Sequence, residues 1–316
     1  MIQRPIDVLQ IHPVRKTTAQ KTAFIQDVRD YVQGQGYDVT VDTPKRGVRN
    51  IVIGDLQKAR YLITAHYDTP ASIGLPNLIV PNHPVWFFLV QMLLVSVLLG
   101  VSFGLAFIAY GITKNERAAF LTWYVVYFAI LIMMRSGPAN PSNANDNTSG
   151  VVTLLETLTA MPQEQREQVC FVLFDMEEAG LVGSKAFRKA HKDLTEEMIV
   201  FNLDCVGDGD VIQFTPVKKA RENEALLSRL SEICGSKGSK EIRLRAKGFY
   251  GGSSDHKSFP NGVAIMSFRY CKGIGLYCSR IHTWRDKNLD YSNVTLLRDT
   301  LISLAAQPES SEIITQ

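Results

Sequence analysis

Cysteine pairs with metal-binding spacing are missing from this sequence. Its five cysteines all lie in the second half of the chain, and no two of them are separated by only two residues. A zinc ribbon and a thioredoxin-like redox site both need such a CxxC pair, so both are excluded. The HExxH motif is also missing, which excludes a metal-binding helix of the thermolysin type.

A large excess of charge of either sign is missing too. The chain has 34 Lys and Arg residues against 31 Asp and Glu residues, a formal net charge of +3. No basic block with interleaved aromatic residues occurs, so we predict no nucleic-acid partner. The first residues contain no long apolar segment of the kind found in secretory signals, so we expect the globular part of the protein to be cytoplasmic.

Two long uncharged runs interrupt this ordinary composition. Residues 85–112 carry no charged side chain, and residues 118–134 form a second such run after a short polar break. A membrane-spanning helix needs about 20 apolar residues, so the first run is long enough and the second is borderline. We predict an inserted hydrophobic helical hairpin at 79–136 that contacts the membrane through 85–134. The alternatives are a lid over the functional site and an arm buried in an oligomer interface, because an all-apolar helix needs lipid or complete burial.

On both sides of the hairpin, short apolar segments alternate with helical patterns. This alternation predicts an α/β fold with a doubly wound, mainly parallel mixed sheet and helices on both faces. We expect residues 1–78 and 137–316 to form one domain. Strands are predicted at 48–53, 61–66, 169–174, 198–203 and 263–268, with an edge strand at 211–214. Helices are predicted at 17–33, 149–160, 180–190, 222–234 and 289–306.

Histidine and carboxylate side chains lie at the ends of three predicted strands. His66 ends the strand at 61–66, Glu178 follows 169–174 after a short turn, and Asp204 follows 198–203. Because the carboxyl ends of the strands meet at one edge of a doubly wound sheet, we expect these side chains to lie close together. Their carboxylates repel one another unless a cation neutralises them. Imidazole and carboxylate ligands without a thiolate favour catalytic zinc, with manganese or cobalt as alternatives.

Six short segments at predicted strand ends and helix starts carry a known signature in the correct order. They are HYD at 66–68, NDNTSG at 145–150, DMEEAGLVGS at 175–184, NLD at 202–204, SDH at 254–256 and IHT at 281–283. Together they resemble the co-catalytic di-zinc metallopeptidases, the family that includes bacterial leucyl aminopeptidases and glutamate carboxypeptidase. The resemblance covers about 17–75 and 140–306 and leaves the hairpin outside.

The resemblance implies two zinc ions per chain that share one aspartate. It implies Glu177 as the general base toward a metal-bridged water, and Asp68 as the residue that orients a ligand histidine. The implied ligands are Asp146 as the bridge, His66 and Asp204 on one metal, and Glu178 and His282 on the other. Further candidates for substrate binding are Tyr250, Asp255 and His256.

The resemblance also predicts an activity, which is removal of N-terminal residues from peptides. The alternative within the same fold is a carboxypeptidase or another amide hydrolase that acts on acylated amino acids. Glutaminyl cyclases share the fold but use one zinc ion, and the complete motif around Asp146 disfavours them. A metal-free membrane scaffold is the alternative from another class, and the full ligand set argues against it. The sequence leaves the oligomeric state open.

The spacing between His66 and Asp146 is the main departure from the family pattern. Eighty residues separate the two positions (146 minus 66), far more than in compact relatives, and the hairpin accounts for the surplus. Both ends of the hairpin are therefore expected near the metals, which suggests that the membrane surface or a lid lies close to the substrate entrance.

Overall fold

The computed structural model describes residues 1–72 and 77–306 of the chain. A mixed sheet of ten strands forms the centre of these residues. The strands are β1 (Val39–Asp42), β2 (Asn50–Ile53), β3 (Tyr61–His66), β4 (Val169–Phe174), β5 (Ile199–Leu203), β6 (Val211–Pro216), β7 (Gly235–Lys237), β8 (Lys240–Leu244), β9 (Gly262–Cys271) and β10 (Gly275–Tyr277). Their order is β1-β2-β4-β3-β5-β9-β6-β8-β7, and β10 pairs with β9.

The middle of this sheet is parallel. Strands β4, β3, β5 and β9 run in the same direction. Strands β6 and β8 are parallel to each other but run opposite to β9. The pairs β1–β2, β2–β4 and β7–β8 are also antiparallel. The parallel strands are buried along their length, as their apolar sequences predict. Their carboxyl ends therefore form one edge of the sheet.

Helices cover both faces of the sheet, and two further helices, α3 and α4, lie apart from it. The helices of the described residues are α1 (Val8–Ile11), α2 (Thr18–Gly34), α3 (Pro84–Thr113), α4 (Glu116–Ser136), α5 (Gly150–Ala160), α6 (Val182–Ala190), α7 (Lys192–Thr195), α8 (Glu224–Glu232) and α9 (Tyr291–Ala306). Alternate residues of β3 face opposite sides: Ile63 belongs to the core cluster that contains residues of α2, α5, α8 and α9, whereas Leu62 belongs to the cluster that contains Phe187 of α6. Burying each such side chain stabilises the fold by about 1.5–3 kcal/mol. The predicted doubly wound α/β class is confirmed.

One detail of the predicted sheet is wrong. The segment at 211–214 was expected at an edge, but β6 lies between β9 and β8. The sequence does not show this because β8 reads KEIRL, and its charged residues hide the short strand. The domain division at 79 and 136 stays a prediction, and residues 73–76 and 307–316 lie outside the described residues.

The hairpin is formed by α3 and α4, which pack against each other and project from the sheet. The two buried residues of α3 are Ser102 and Ala106, whose small side chains allow the helices to approach closely. Asn115 caps the start of α4 by accepting the main-chain N–H groups of Arg117 and Ala118. Both helices are long and apolar enough to cross a membrane, and almost none of their apolar surface is buried.

Candidate metal centre

Five predicted ligands, carried by five separate segments, meet at the carboxyl edge of the parallel strands. His66 ends β3, Asp204 follows β5, and Glu178 lies in the turn after β4. The other two come from loops, Asp146 from the loop before α5 and His282 from the loop after β10. The strand-end positions explain why the side chains converge, since neighbouring parallel strands end side by side.

Asp146 lies between two groups of donor atoms. Its Oδ1 is 3.4 Å from Nε2 of His66, which is itself 3.7 Å from Oδ1 of Asp204. Its Oδ2 is 3.1 Å from Nε2 of His282, which is 4.0 Å from Oε2 of Glu178. In each of these two groups one ligand atom from each of three residues lies within 4.8 Å of the others, and a third such group joins His66 to Glu177 and Glu178. This arrangement fits two cations that share one carboxylate.

The charges of the site also call for cations. Burial and the nearby charge of Asp146 raise the pKa of Glu178 to about 8. Burial raises the pKa of Glu177 well above its usual value, with Glu178 adding to the effect. The pKa of Asp146 falls despite burial because His282 and His66 donate to its carboxylate. Carboxylates outnumber imidazoles here, so divalent cations would neutralise a surplus of buried negative charge.

Asp68 connects the His66 segment to the glutamate pair. Its carboxylate accepts the main-chain N–H of Glu177 at 3.0 Å and that of Glu178 at 3.2 Å. Nδ1 of His66 lies 3.1 Å from the main-chain oxygen of Asp68 and 3.6 Å from its carboxylate. The predicted role of Asp68 in orienting His66 stays a prediction, and the structure adds its bonds to the turn that carries both glutamates.

Left-handed backbone conformations occur at three positions in or next to the site. Met176, Cys205 and His282 have φ angles of 56°, 55° and 58° although none of them is glycine. Such a conformation costs about 1–2 kcal/mol for an ordinary residue. Residues held in such conformations cluster at functional sites, because the surrounding structure must hold them there. The surrounding structure therefore holds the turns at Glu177, Asp204 and His282 in conformations that place these three side chains at the site.

A cavity of about 130 Å³ opens beside the ligands. Asp146, Glu177, Asp204 and His282 form its polar side, and its apolar side is formed by Ile79, Ala264, Ile265, Met266 and Ile281. A larger cleft of about 710 Å³ around Asp208 and Asp210 contains none of the predicted ligands. We take the smaller cavity as the candidate substrate site, because Glu177 and three of the predicted ligands line it.

The three candidate substrate-binding residues occupy different positions. Tyr250 and His256 line the cavity, with their rings 6.5 Å apart. Asp255 does not line it and is fully buried; neither carboxylate oxygen has a hydrogen-bond partner among the described residues. Burial raises the pKa of Asp255 to about 7. The assignment of these three residues to substrate binding stays a prediction.

Two further residues support the site and were not predicted. Both carboxylate oxygens of Asp286 accept main-chain N–H groups, those of Asn145 at 2.7 Å and Asp146 at 2.9 Å. Arg15 is fully buried and donates to Thr148 in the loop that follows Asp146. Asp286 lies in a loop four residues after His282, and neither its sequence context nor that of Arg15 marks a role at the site.

The fold and the cluster of histidine and carboxylate donors around Asp146 fit a zinc-dependent metallopeptidase. A model of peptidase family M28 matches residues 131–305, which is more than half of the chain. The protein therefore belongs to peptidase family M28. The predicted family and the predicted metallopeptidase class are both confirmed. No curated protein matches the chain.

Solved structures show the same fold at low sequence identity. A zinc-dependent exopeptidase from Parabacteroides distasonis is 15% identical, with a TM-score of 0.58 over 96% of each chain. The LapA aminopeptidase of Legionella pneumophila is 14% identical, with a TM-score of 0.57 over 98% of this chain and 68% of its own. A glutaminyl cyclase from Porphyromonas gingivalis is 16% identical, with a TM-score of 0.57 over 95% of this chain and 96% of its own. At these identities the likeness shows the fold and does not select one activity.

Proposed function

We propose that the protein is a membrane-associated aminopeptidase that binds two zinc ions. The observation that carries the metal part is the position of Asp146, whose Oδ1 lies 3.4 Å from Nε2 of His66 and whose Oδ2 lies 3.1 Å from Nε2 of His282. His66 and Asp204 would hold one ion, and Glu178 and His282 the other. When bound, two such ions polarise a peptide carbonyl and lower the pKa of a water molecule.

Glu177 is the group that moves the proton. It faces the cavity, and burial together with Glu178 raises its pKa well above the usual value. A carboxylate whose pKa lies closer to neutrality is a more effective general base and, once protonated, a more effective acid. Glu177 accepts a proton from the attacking water and delivers it to the amine that leaves.

The charge of the cavity favours an aminopeptidase over a carboxypeptidase. Three carboxylates face the cavity, and no Lys or Arg is present among the described residues that line it. Bound cations would neutralise Asp146 and Asp204, and a substrate carboxylate would then find no cationic side chain to pair with in this cavity. Carboxypeptidase activity is the second candidate, because Lys16 and Arg135 line an adjoining cavity of about 240 Å³ that includes Glu178.

The metal and activity proposals have one joint test. Purified full-length protein should contain two zinc equivalents and hydrolyse a leucyl chromogenic amide. It should also cleave a peptide with a free N-terminus and leave the N-acetylated peptide intact. Cleavage of the acetylated peptide from its C-terminus would select the carboxypeptidase. A protein that binds no zinc would instead support the metal-free scaffold.

We also propose that the hairpin inserts into a lipid bilayer. Helix α4 has 21 residues, so it is about 32 Å long and matches a hydrocarbon core of about 30 Å. Exposed apolar side chains such as Leu93, Phe107 and Ile132 surround the two helices. Contact with lipid would explain this exposure, because a large apolar surface is unfavourable in water. The cytoplasmic location of the catalytic domain stays a prediction.

Lysine substitutions near the middle of the two helices test the insertion. Val101 and Val125 are about half exposed. Each lysine at the bilayer centre costs about 2.5–3.5 kcal/mol, so Val101→Lys with Val125→Lys should release the protein from carbonate-washed membranes. Leu194→Lys, at an exposed apolar residue of the globular part, is the control. A wild-type protein that stays soluble as an oligomer without detergent would show that a second copy covers the hairpin.

A further inference from the structure

Both ends of the hairpin form part of the wall around the metal centre. We define residues 79–83 as the first root of the hairpin and residues 135–138 as its second root. Ile79 of the first root lines the cavity that contains Asp146, Glu177 and His282. Arg135 and Ser136 of the second root line the adjoining cavity that contains Glu178. Each cavity that contains metal-binding carboxylates therefore has a hairpin root in its wall.

The first root is held by the segments that carry site residues. Ile79 exchanges two main-chain hydrogen bonds with Cys278, at 2.8 and 2.9 Å, four residues before His282. The main-chain oxygen of Pro81 accepts the N–H of Gly251 at 2.8 Å, next to Tyr250. These bonds fix the distance between the start of the hairpin and the cavity.

The first turn of α3 continues this contact. The ring centroids of Phe87 and Phe249 are 5.5 Å apart, and those of Phe88 and Phe249 are 6.0 Å apart. A Cβ atom on Gly251 would lie 2.5 Å from the Phe87 ring, so glycine allows the close approach. The start of α3 thus packs directly on the loop whose Tyr250 lines the cavity.

The second root is held on the opposite side of the site. Arg135 donates to the main-chain oxygen of Ala179 at 3.3 Å, in the turn that carries Glu177 and Glu178. The main-chain oxygen of Pro138 accepts the N–H of Ser72 at 2.8 Å. The two roots therefore flank the metal centre, and the helices leave the globular part at the rim of the site.

This placement sets the distance from the metal centre to the membrane. Pro84, where α3 begins, lies five positions after Ile79 of the cavity wall. A chain of that length spans at most about 18 Å, so α3 begins within that distance of the cavity. Trp86 in the first turn of α3 suits the interface between lipid and water. A short stretch of extended peptide can bridge this distance.

We propose that the preferred substrates are peptides tethered to the same bilayer, with the N-terminal residue only a few residues away from the anchored segment. The proposal rests on the aminopeptidase activity and membrane insertion proposed above. A water-soluble peptide reaches the cavity only by diffusion, whereas a tethered peptide is held near it. Its effective concentration is highest when the tether length matches the distance to the site.

A series of tethered substrates tests the proposal on the full-length protein in phosphatidylcholine vesicles with zinc. Each peptide begins with leucine, continues with a Gly/Ser spacer, and ends with a lysine carrying two palmitoyl chains, because a single acyl chain anchors only weakly. Spacers of about 4, 8 and 32 residues have root-mean-square lengths of about 11, 16 and 31 Å, so the two short spacers suit a distance of up to about 18 Å and the longest exceeds it. Matched free peptides carry an acetylated amide lysine instead of the lipid. Leucine release is measured on one preparation, so the ratio of tethered to free rates is independent of protein orientation.

The dependence on spacer length decides the outcome. If the site faces the membrane, the ratio is above one, is highest at the 4-residue or 8-residue spacer, and falls about eightfold from the 8-residue to the 32-residue spacer, following a power of −3/2. A ratio that rises with spacer length would place the site away from the bilayer and overturn the proposal, as would ratios at or below one throughout. If free peptides are not cleaved either, the aminopeptidase proposal itself fails. The variant Glu177→Gln shows that the measured release comes from this site.

Discussion

The carboxylate of Asp286 accepts the main-chain N–H of Asp146 at 2.9 Å, although 140 positions separate the two residues in the chain. Its other oxygen accepts the N–H of Asn145, and its main-chain oxygen accepts the side chain of Asn140 at 3.0 Å. Asp286 therefore joins the loop that carries His282 to the loop that carries the shared aspartate. A bridging carboxylate can serve two cations only if its main chain is held in place.

Replacing Asp286 by asparagine should weaken zinc binding. The amide nitrogen cannot accept one of the two N–H groups, so the loop that carries Asp146 loses a hydrogen bond. Loss of such a supporting contact typically costs about 10- to 100-fold in metal affinity. Zinc affinity is measured by competition with a chromogenic chelator, and Asp193→Asn at an exposed position is the control. Unchanged affinity in Asp286→Asn would show that the contact does not position the bridge.

Replacing Glu177 by glutamine should abolish turnover while both zinc ions stay bound. Glutamine keeps the shape of the side chain but cannot accept the proton, and loss of a general base typically costs about 10²–10⁴-fold in rate. The leucyl amide assay and metal analysis are run on the same sample. Glu164→Gln, at an exposed position outside the site, should behave as wild type. Substantial activity in Glu177→Gln would exclude it as the base.

Asp146 and Asp204 should differ in how many metal ions they retain. Asp146 belongs to both donor groups, whereas Asp204 belongs to one. Asp146→Asn should therefore lose both zinc ions, and Asp204→Asn should lose one and keep the ion held by Glu178 and His282. Mass spectrometry of the folded protein, or elemental analysis after gel filtration, counts the ions. Equal loss in the two variants would mean that Asp146 is not a bridge.

Zinc binding should release protons and become tighter as the pH rises. In the metal-free protein the pKa of Glu178 is raised to about 8, by burial and then by Asp146. The pKa of His282 is raised to about 9, because Glu178 and Asp146 outweigh the effect of burial. Glu178 and His282 therefore share at least one proton at pH 7, yet both must be deprotonated to bind a metal. Affinity should increase from pH 6 to 9 and then level off.

Calorimetry in buffers of different ionisation enthalpy counts the protons released in this process. At least one proton per chain is expected at pH 7 from these two ligands, and His66, whose pKa its carboxylate neighbours raise despite burial, adds to the release. The variant His282→Ala should release fewer protons than the wild type does. A proton release near zero would mean that the metal-free site is already deprotonated, contrary to the raised pKa values.

The ligands could be predicted from the sequence, but the contacts that hold them could not. His66 and Asp204 follow apolar strands, and strand ends in a doubly wound sheet have a defined location. Asp286, by contrast, lies in a loop, and its two acceptor bonds exist only because the chain folds back on the loop before α5. Periodicity and local motifs contain no information on such long-range contacts.

Long-range contacts that the sequence does not show also explain the wrong position predicted for β6 and the missed packing of the hairpin. Strands β7 and β8 are short and contain charged residues, so no apolar pattern marks them and β6 looked like an edge strand. The sequence does show the apolar composition of the hairpin, because residues 85–112 and 118–134 carry no charged side chain. Its packing on the site through Phe87 and Phe249 was not evident, since aromatic residues occur throughout that region.

Gly251 offers a last prediction, on the coupling between the hairpin and the site. A Cβ atom there would meet the Phe87 ring at 2.5 Å, so Gly251→Ala must displace either that ring or the neighbouring Tyr250. We expect a lower kcat/KM for the leucyl amide, because overpacking of this kind typically costs about 1–3 kcal/mol and part of the displacement reaches the cavity wall. Phe87→Ala removes the clash, so the double variant should recover activity relative to Gly251→Ala, and the cycle measures the coupling. Gly34→Ala is the control, because nothing lies within 4 Å of a Cβ atom at that position. A double variant as impaired as Gly251→Ala would mean that the alanine acts through another neighbour, and the start of α3 would then have no influence on the site.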